Sequence, residues 1–224
     1  MLILESTDGL TRCAPNTPLF RIGRRPSPWL SPDWSRANKD GTFGNRFDDP
    51  IGYYRVLYAS TQRLSCFIET LARYRADLSF LADLSEIEGE DDFVALGNVP
   101  LEWLHSRIMG TARVSGVYAD IYSSGWVSYL RQELAKPVHD LGYDDLDLAV
   151  LQTAEPRLIT QRASRAVFAK SLDGIYYRSR HGHDLDNWAL FEPYRIESTS
   201  IEPDLSIQDQ DLQAAMTIHN LVFS

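Results

Sequence analysis

Apolar residues recur at helical spacing between positions 61 and 75. Leu64, Phe67, Ile68, Leu71 and Tyr74 fall at i, i+3, i+4, i+7 and i+10, one stripe about a hundred degrees wide. Just ahead of it, residues 53–59 (YYRVLYA) are aromatic and β-branched and are expected as a short strand. A turn-rich stretch with Gly41, Gly44, Asp48, Asp49, Pro50 and Gly52 leads into that strand. Further upstream, Pro15, Pro18, Pro26, Pro28 and Pro32 forbid a long helix, and residues 19–23 (LFRIG) read as a lone strand. The N-terminal MLILESTDGL reads as an opening strand or a loose arm. Beyond the central helix, the pattern predicts a helical or turn continuation through 76–90 into an acidic loop, and a turn-helix at 99–109. Helices are expected at 126–134 and 156–170, and strands at 93–96, 113–120, 148–151, 175–177 and 188–191. The final 212–223 stretch fits either helix or strand. Short strands interspersed with helices point to an α+β fold. No internal repeat divides the chain, which reads as one domain over 1–224 with 76–155 an elaborated middle segment.

Composition adds exclusions. A hydrophobic fraction of 44% with five Trp is ample for a core. The net charge of −9 argues against a nucleic-acid surface, which needs clustered cations to release counterions. No apolar run approaches the roughly eighteen residues of a membrane helix, and the N-terminus lacks the basic start of a secretory signal. The two cysteines, Cys13 and Cys66, suit a reducing cytoplasm and read as buried structural thiols.

The candidate chemistry gathers around the central stretch. Arg46 sits in the glycine turn, Tyr58 at the strand end, and Glu69 on the helix, off the apolar stripe. Each alone is ordinarily structural; their order and spacing set them close together. Arg21 lies between Phe20 and Ile22 in the upstream strand, and Ser179 lies between Arg178 and Arg180. His181, His183, Asp184 and Asp186 lack the spacing of a zinc site, so a polar loop and no metal are expected. There is no Gly-x-Gly-x-x-Gly, no P-loop and no Gly-x-Ser-x-Gly turn.

The turn with Gly-x-Arg-aromatic, the Leu-Tyr-Ala-Ser that follows, and a Glu eleven residues after the Tyr together resemble the RES domain family, named for an Arg, a Glu and a Ser. The later Asp173-Gly-Ile-Tyr-Tyr-Arg-Ser179-Arg, followed by Asn187-Trp-Ala-Leu-Phe-Glu, is similar to the family's second half. Two departures stand out: Phe47 where the family usually has Trp, and Tyr-Arg-Ser rather than Pro-Ser at Ser179.

The resemblance implies an ADP-ribosyltransferase-like mixed β core with surrounding helices. It also implies consumption of NAD as substrate, without a metal. Family members are typically toxins of bacterial toxin–antitoxin pairs, which implies a helix-turn-helix (Xre-type) antitoxin partner. Arg21 and Arg46 would grip phosphates, whose oxygens suit a guanidinium fork. Tyr58 would stack on a base, Glu69 would stabilise a cationic ribose, and Ser179 and Asn187 would contact the nucleotide. The acceptor stays open between water, inorganic phosphate and a protein side chain; the local Ile68-Glu69-Thr70 lacks a second acid of the Glu-x-Glu kind and leans towards a small acceptor. A binding module that leaves NAD intact, and a structural protein with a dead site, are the other readings.

Overall fold

Strand pairing follows the alternation pattern, but the sheet is larger than the sequence suggests. The computed structural model describes residues 1–4, 6–78 and 97–224. Among them the strands are β1 (Leu2–Leu4), β2 (Arg12–Ala14), β3 (Leu19–Arg24), β4 (Val56–Ser60), β5 (Gly97–Val99) and β6 (Arg107–Val114). They continue with β7 (Tyr118–Asp120), β8 (Gly174–Ser179), β9 (Gly182–Phe191), β10 (Ile196–Glu202) and β11 (Leu221–Phe223). Nine of them form one sheet in the order β1-β2-β7-β8-β9-β4-β3-β6-β10, while β11 and β5 form a small separate pair. The large sheet is mixed: β7 and β8 run parallel and the other pairs antiparallel. Seven α-helices surround it among the described residues: α1 (Arg63–Leu71), α2 (Leu101–Ser106), α3 (Ser124–Glu133), α4 (Ala135–Asp140), α5 (Leu148–Thr153), α6 (Leu158–Ala169) and α7 (Gln210–Ile218). The fold is a single α+β domain, as the alternation of elements indicates.

The apolar stripe of α1 behaves as its spacing requires. Phe67, Ile68 and Leu71 are fully buried and join Leu212, Ala215 and Met216 of α7 in one cluster. A second cluster packs Trp126 and Leu130 of α3 and Ile159, Ala163 and Val167 of α6 against Ile175 and Ala189 of the sheet. These two packings hold α1 and α6 in place, and with them both walls of the site.

Several expectations need correcting. Residues 148–151 form the first part of helix α5 rather than a strand: Asp147 caps it, its carboxylate accepting the Val150 N–H at 2.9 Å. The expected turn-helix at 99–109 ends at Ser106, and β6 begins at once. β6 carries Ile108 and Met109 buried side by side, and Gly110 follows them, which breaks the alternation at its start. The 113–120 segment splits into the end of β6 and all of β7, with Gly116 at φ 116° between them. β10 has no apolar signature because it is an exposed edge strand paired only with β6. The ambiguous C-terminal stretch is both: helix α7, then strand β11. The expected strand at 93–96, the acidic loop and residues 79–90 lie outside the described residues. No helix among the described residues is long and apolar enough to cross a membrane.

One glycine is decisive for the sheet. Gly174 opens β8 at φ 156°, and a Cβ there would meet the Ala189 carbonyl oxygen at 2.1 Å and the Tyr118 ring at 2.9 Å. Gly174→Ala is expected to cost about 2 kcal/mol and to lower the melting temperature by about 4–8 °C, read by circular dichroism. An unchanged melting temperature would show that the β8–β9 pair opens to admit a methyl.

Candidate active site

The glycine turn is built backward from a buried carboxylate. Asp48 is 4% exposed, and among the described residues no cation pairs with it. Its oxygens accept the N–H groups of Phe43 at 2.9 Å and Asn45 at 2.8 Å, the Asn45 side-chain amide at 3.3 Å, and the Tyr58 hydroxyl at 3.4 Å. Burial lifts its pKa above the usual carboxylate range, against the pull of those donors. Gly44, at φ 75°, supplies the left-handed residue that the turn requires. Phe47 then plugs into the core, fully buried, with its ring edge-on to Tyr177 at 5.0 Å.

Helix α6 holds the same turn from the other side. Arg157, Gln161 and Ser164 lie at helical spacing on one face, and each donates to a backbone carbonyl of the turn. Arg157 reaches Gly44 O at 2.7 Å, Gln161 reaches Asn45 O at 3.1 Å, and the Ser164 hydroxyl reaches Phe47 O at 2.7 Å. The Tyr58 hydroxyl accepts the Phe47 N–H at 2.9 Å. Arg46 thus leaves a backbone pinned on both flanks, its Nη2 donating to Gln152 O at 2.9 Å and its guanidinium 5.9 Å from the Tyr177 ring centre.

Opposite stands Glu69 on α1. Asn187 of β9 donates its amide N–H to Glu69 Oε1 at 2.8 Å, and the buried Ser65 hydroxyl donates to Asn187 Oδ1 at 2.9 Å. Ser65 therefore orients the amide and the amide orients the carboxylate. Sheet register brings the rest: Tyr177, Asn187 and Ser60 are partners across β8, β9 and β4, so their side chains rise from one face. Arg21 of β3 is held by two backbone carbonyls, Nε to Pro28 O at 2.7 Å and Nη1 to Tyr58 O, and burial lowers its pKa.

These walls enclose a cleft of about 430 Å³ whose lining, among the described residues, includes Arg21, Arg46, Arg73, Arg157 and Arg180 and a single carboxylate, Glu69. Five guanidiniums around one cleft in a chain of net charge −9 make a strongly anion-attracting site. Of the residues singled out from sequence, Arg21, Arg46, Tyr58, Glu69 and Asn187 all line it. Ser179 does not: it is 3% exposed, and its hydroxyl accepts the His181 N–H at 2.9 Å. It closes the turn that carries Arg180 and His181 into the cleft wall.

His181 and His183, read from sequence as part of a polar loop, part company. His183 is exposed on β9, while His181 lines the cleft with its ring 5.7 Å from that of His219. Burial lowers the His181 pKa to about 4, against the pull of Glu69, so the ring is neutral at pH 7. Among the described residues no cluster of three or more His, Cys, Asp and Glu could hold a metal. Cys66 reaches the cleft, but burial pushes its thiol up to about 12 and its Sγ lies 3.2 Å from Phe20 O, so it is no nucleophile. Arg73, Arg157, Asn45 and Tyr177 also line the cleft and were not marked by sequence; Arg157 alone carried a signal, as a cation at the head of a helix with a polar stripe.

No curated protein sequence matches the chain. Among solved structures, a chain of the M. tuberculosis MbcT–MbcA toxin–antitoxin complex is similar, with a TM-score of 0.44 and 10% identity over 90% of this chain and 88% of that one. The RES domain model matches residues 18–210, a span that contains the Arg21, Arg46, Tyr58 and Glu69 half and the Ser179 and Asn187 half together. The chain belongs to the RES domain family.

Proposed function

We propose that this protein binds NAD in the cleft and breaks the bond between nicotinamide and ribose, as befits a family of NAD-acting toxins. The observation that carries the proposal is the placement of Glu69: among the described residues it is the one carboxylate lining the cleft beside five arginines, with its oxygen held by Asn187. The arginines, Arg46 foremost, hold the pyrophosphate. When the bond from ribose C1′ to the nicotinamide nitrogen breaks, the electron pair goes to that nitrogen, which becomes neutral. The positive charge passes to the ribose, and Glu69 stabilises it electrostatically. Asn187 and Ser65 keep the carboxylate aimed. Tyr58 offers its ring to the nucleotide while its hydroxyl stays in the turn, and Ser179 acts through the Arg180–His181 turn that it closes.

An oxygen of a small acceptor then bonds to C1′: inorganic phosphate adds through an anionic oxygen, and water adds with loss of one proton to solvent. The cationic lining favours phosphate, because its five guanidiniums exceed the two charges of a pyrophosphate. A free enzyme of this kind would deplete its own cell, so the proposal extends to a cytoplasmic setting with an antitoxin protein of the helix-turn-helix type. The test is to incubate purified protein with NAD, with and without phosphate, and to identify products by mass spectrometry. ADP-ribose names water as acceptor and its 1″-phosphate names phosphate. ADP-ribose found only on added protein substrate would replace this reading with transfer to protein.

A further inference from the structure

We infer that Asp48 and Gln161 are positioning residues for Arg46, forming with Ser164 and the Tyr58 hydroxyl a clamp that sets the guanidinium before any ligand arrives. The inference rests on Arg46 being a phosphate-binding group, as in the proposed function. Four backbone groups flank the Arg46 side chain, and each has its own side-chain partner. The Asn45 N–H goes to Asp48 at 2.8 Å and the Asn45 carbonyl to Gln161 at 3.1 Å. The Phe47 N–H goes to Tyr58 at 2.9 Å and the Phe47 carbonyl to Ser164 at 2.7 Å. A surface glycine turn ordinarily leaves such groups to water. Here partners come from the turn itself, from β4 and from α6, and three of the four, Asp48, Gln161 and Ser164, are buried.

The identities of these partners carry the point. Burying an unpaired carboxylate and a primary amide is unfavourable unless their hydrogen bonds are met. Here Asp48 spends its acceptors on the turn's own donors, and Gln161 sends its amide to the carbonyl just before Arg46. A helix that merely covered the sheet would carry apolar residues there, as α6 does at Ile159, Ala163 and Val167. The clamp removes the freedom that Arg46 would otherwise lose on binding.

Inorganic pyrophosphate is the probe, titrated calorimetrically, since it reads Arg46 without turnover. Asp48→Ala and Gln161→Ala are each expected to weaken pyrophosphate binding about tenfold or more, as displaced positioning groups do. Asp48→Asn should fall between, retaining an acceptor oxygen while adding an unwanted donor. In an Arg46→Ala background the same changes should have little further effect, because they act through Arg46. If Asp48→Ala fails to fold, Gln161→Ala decides by the same criteria. Unchanged pyrophosphate affinity in the folded variants overturns the inference. So does a loss of equal size in the Arg46→Ala background, or a wild-type protein that does not bind pyrophosphate. A wild-type protein that binds pyrophosphate but leaves NAD intact instead overturns the NAD reading alone.

Discussion

Glu69→Gln is expected to slow NAD cleavage by ~10²–10³ while leaving the fold and NAD binding in place. The substitution removes one negative charge and almost no volume. The Gln carbonyl oxygen can still accept the Asn187 amide N–H that Glu69 Oε1 accepts at 2.8 Å, so the side chain keeps its place on α1. What is lost is the only carboxylate that lines the cleft among the described residues, where five arginines also stand, and with it the counter-charge to a developing ribose cation. In the variant that cation would form amid uncompensated guanidiniums. The effect should therefore fall on kcat, with KM for NAD little changed. Nicotinamide release measured beside a melting curve separates this outcome from simple unfolding. A Gln variant of full activity would remove Glu69 from the chemistry and leave the cleft a binding site.

Arg46→Ala has the opposite signature: KM for NAD should rise about tenfold to a hundredfold, the worth of one charge-assisted hydrogen bond of about 1.5–3 kcal/mol. The guanidinium is anchored by Gln152 O and lies near the faces of Phe47 and Tyr177, so its plane is held as well as its charge. Arg46→Lys restores the charge without the fork and should recover only part of the affinity. Added salt should weaken NAD binding to the wild type more than to Arg46→Ala. Steady-state kinetics over a range of salt concentration check both statements. A KM unmoved in Arg46→Ala would assign phosphate binding to the rim arginines, Arg73, Arg157 and Arg180, instead.

The part of this site legible in the sequence is the part made by neighbours along the chain. Gly44 through Glu69 contains a turn, a strand and a helix joined by short connections, so geometry alone brings Arg46, Tyr58 and Glu69 near one another, and residue spacing reveals it. Asn187 and Arg21 come from distant strands, and their joining the cleft follows from register, which spacing does not disclose; the family resemblance pointed to them. Gln161 and Ser164 were illegible for a further reason. They hold backbone carbonyls, and a carbonyl carries no residue identity, so nothing in the sequence marks its partner. On α6 they look like ordinary polar positions of an amphipathic helix.

Ser179 shows the converse. Flanked by two arginines, it looks like a ligand contact, yet β8 turns its hydroxyl inward to the His181 N–H. Elements that failed to show had weak or misleading apolar patterns: β10 is wet along its length, β6 has Gly110 and Ala112 on its buried face and a buried Met109 on the other, and the LAVL run of α5 is short enough to fit either period.

The most direct test of NAD cleavage by this cleft is nicotinamide release from NAD by the purified wild-type protein, followed in time beside Glu69→Gln of matched stability. The expected result is catalytic release by the wild type, many nicotinamides per protein molecule, with the variant slower by ~10² or more. Intact NAD after prolonged incubation with folded wild type, with and without phosphate, or equal rates for the two proteins, would contradict it.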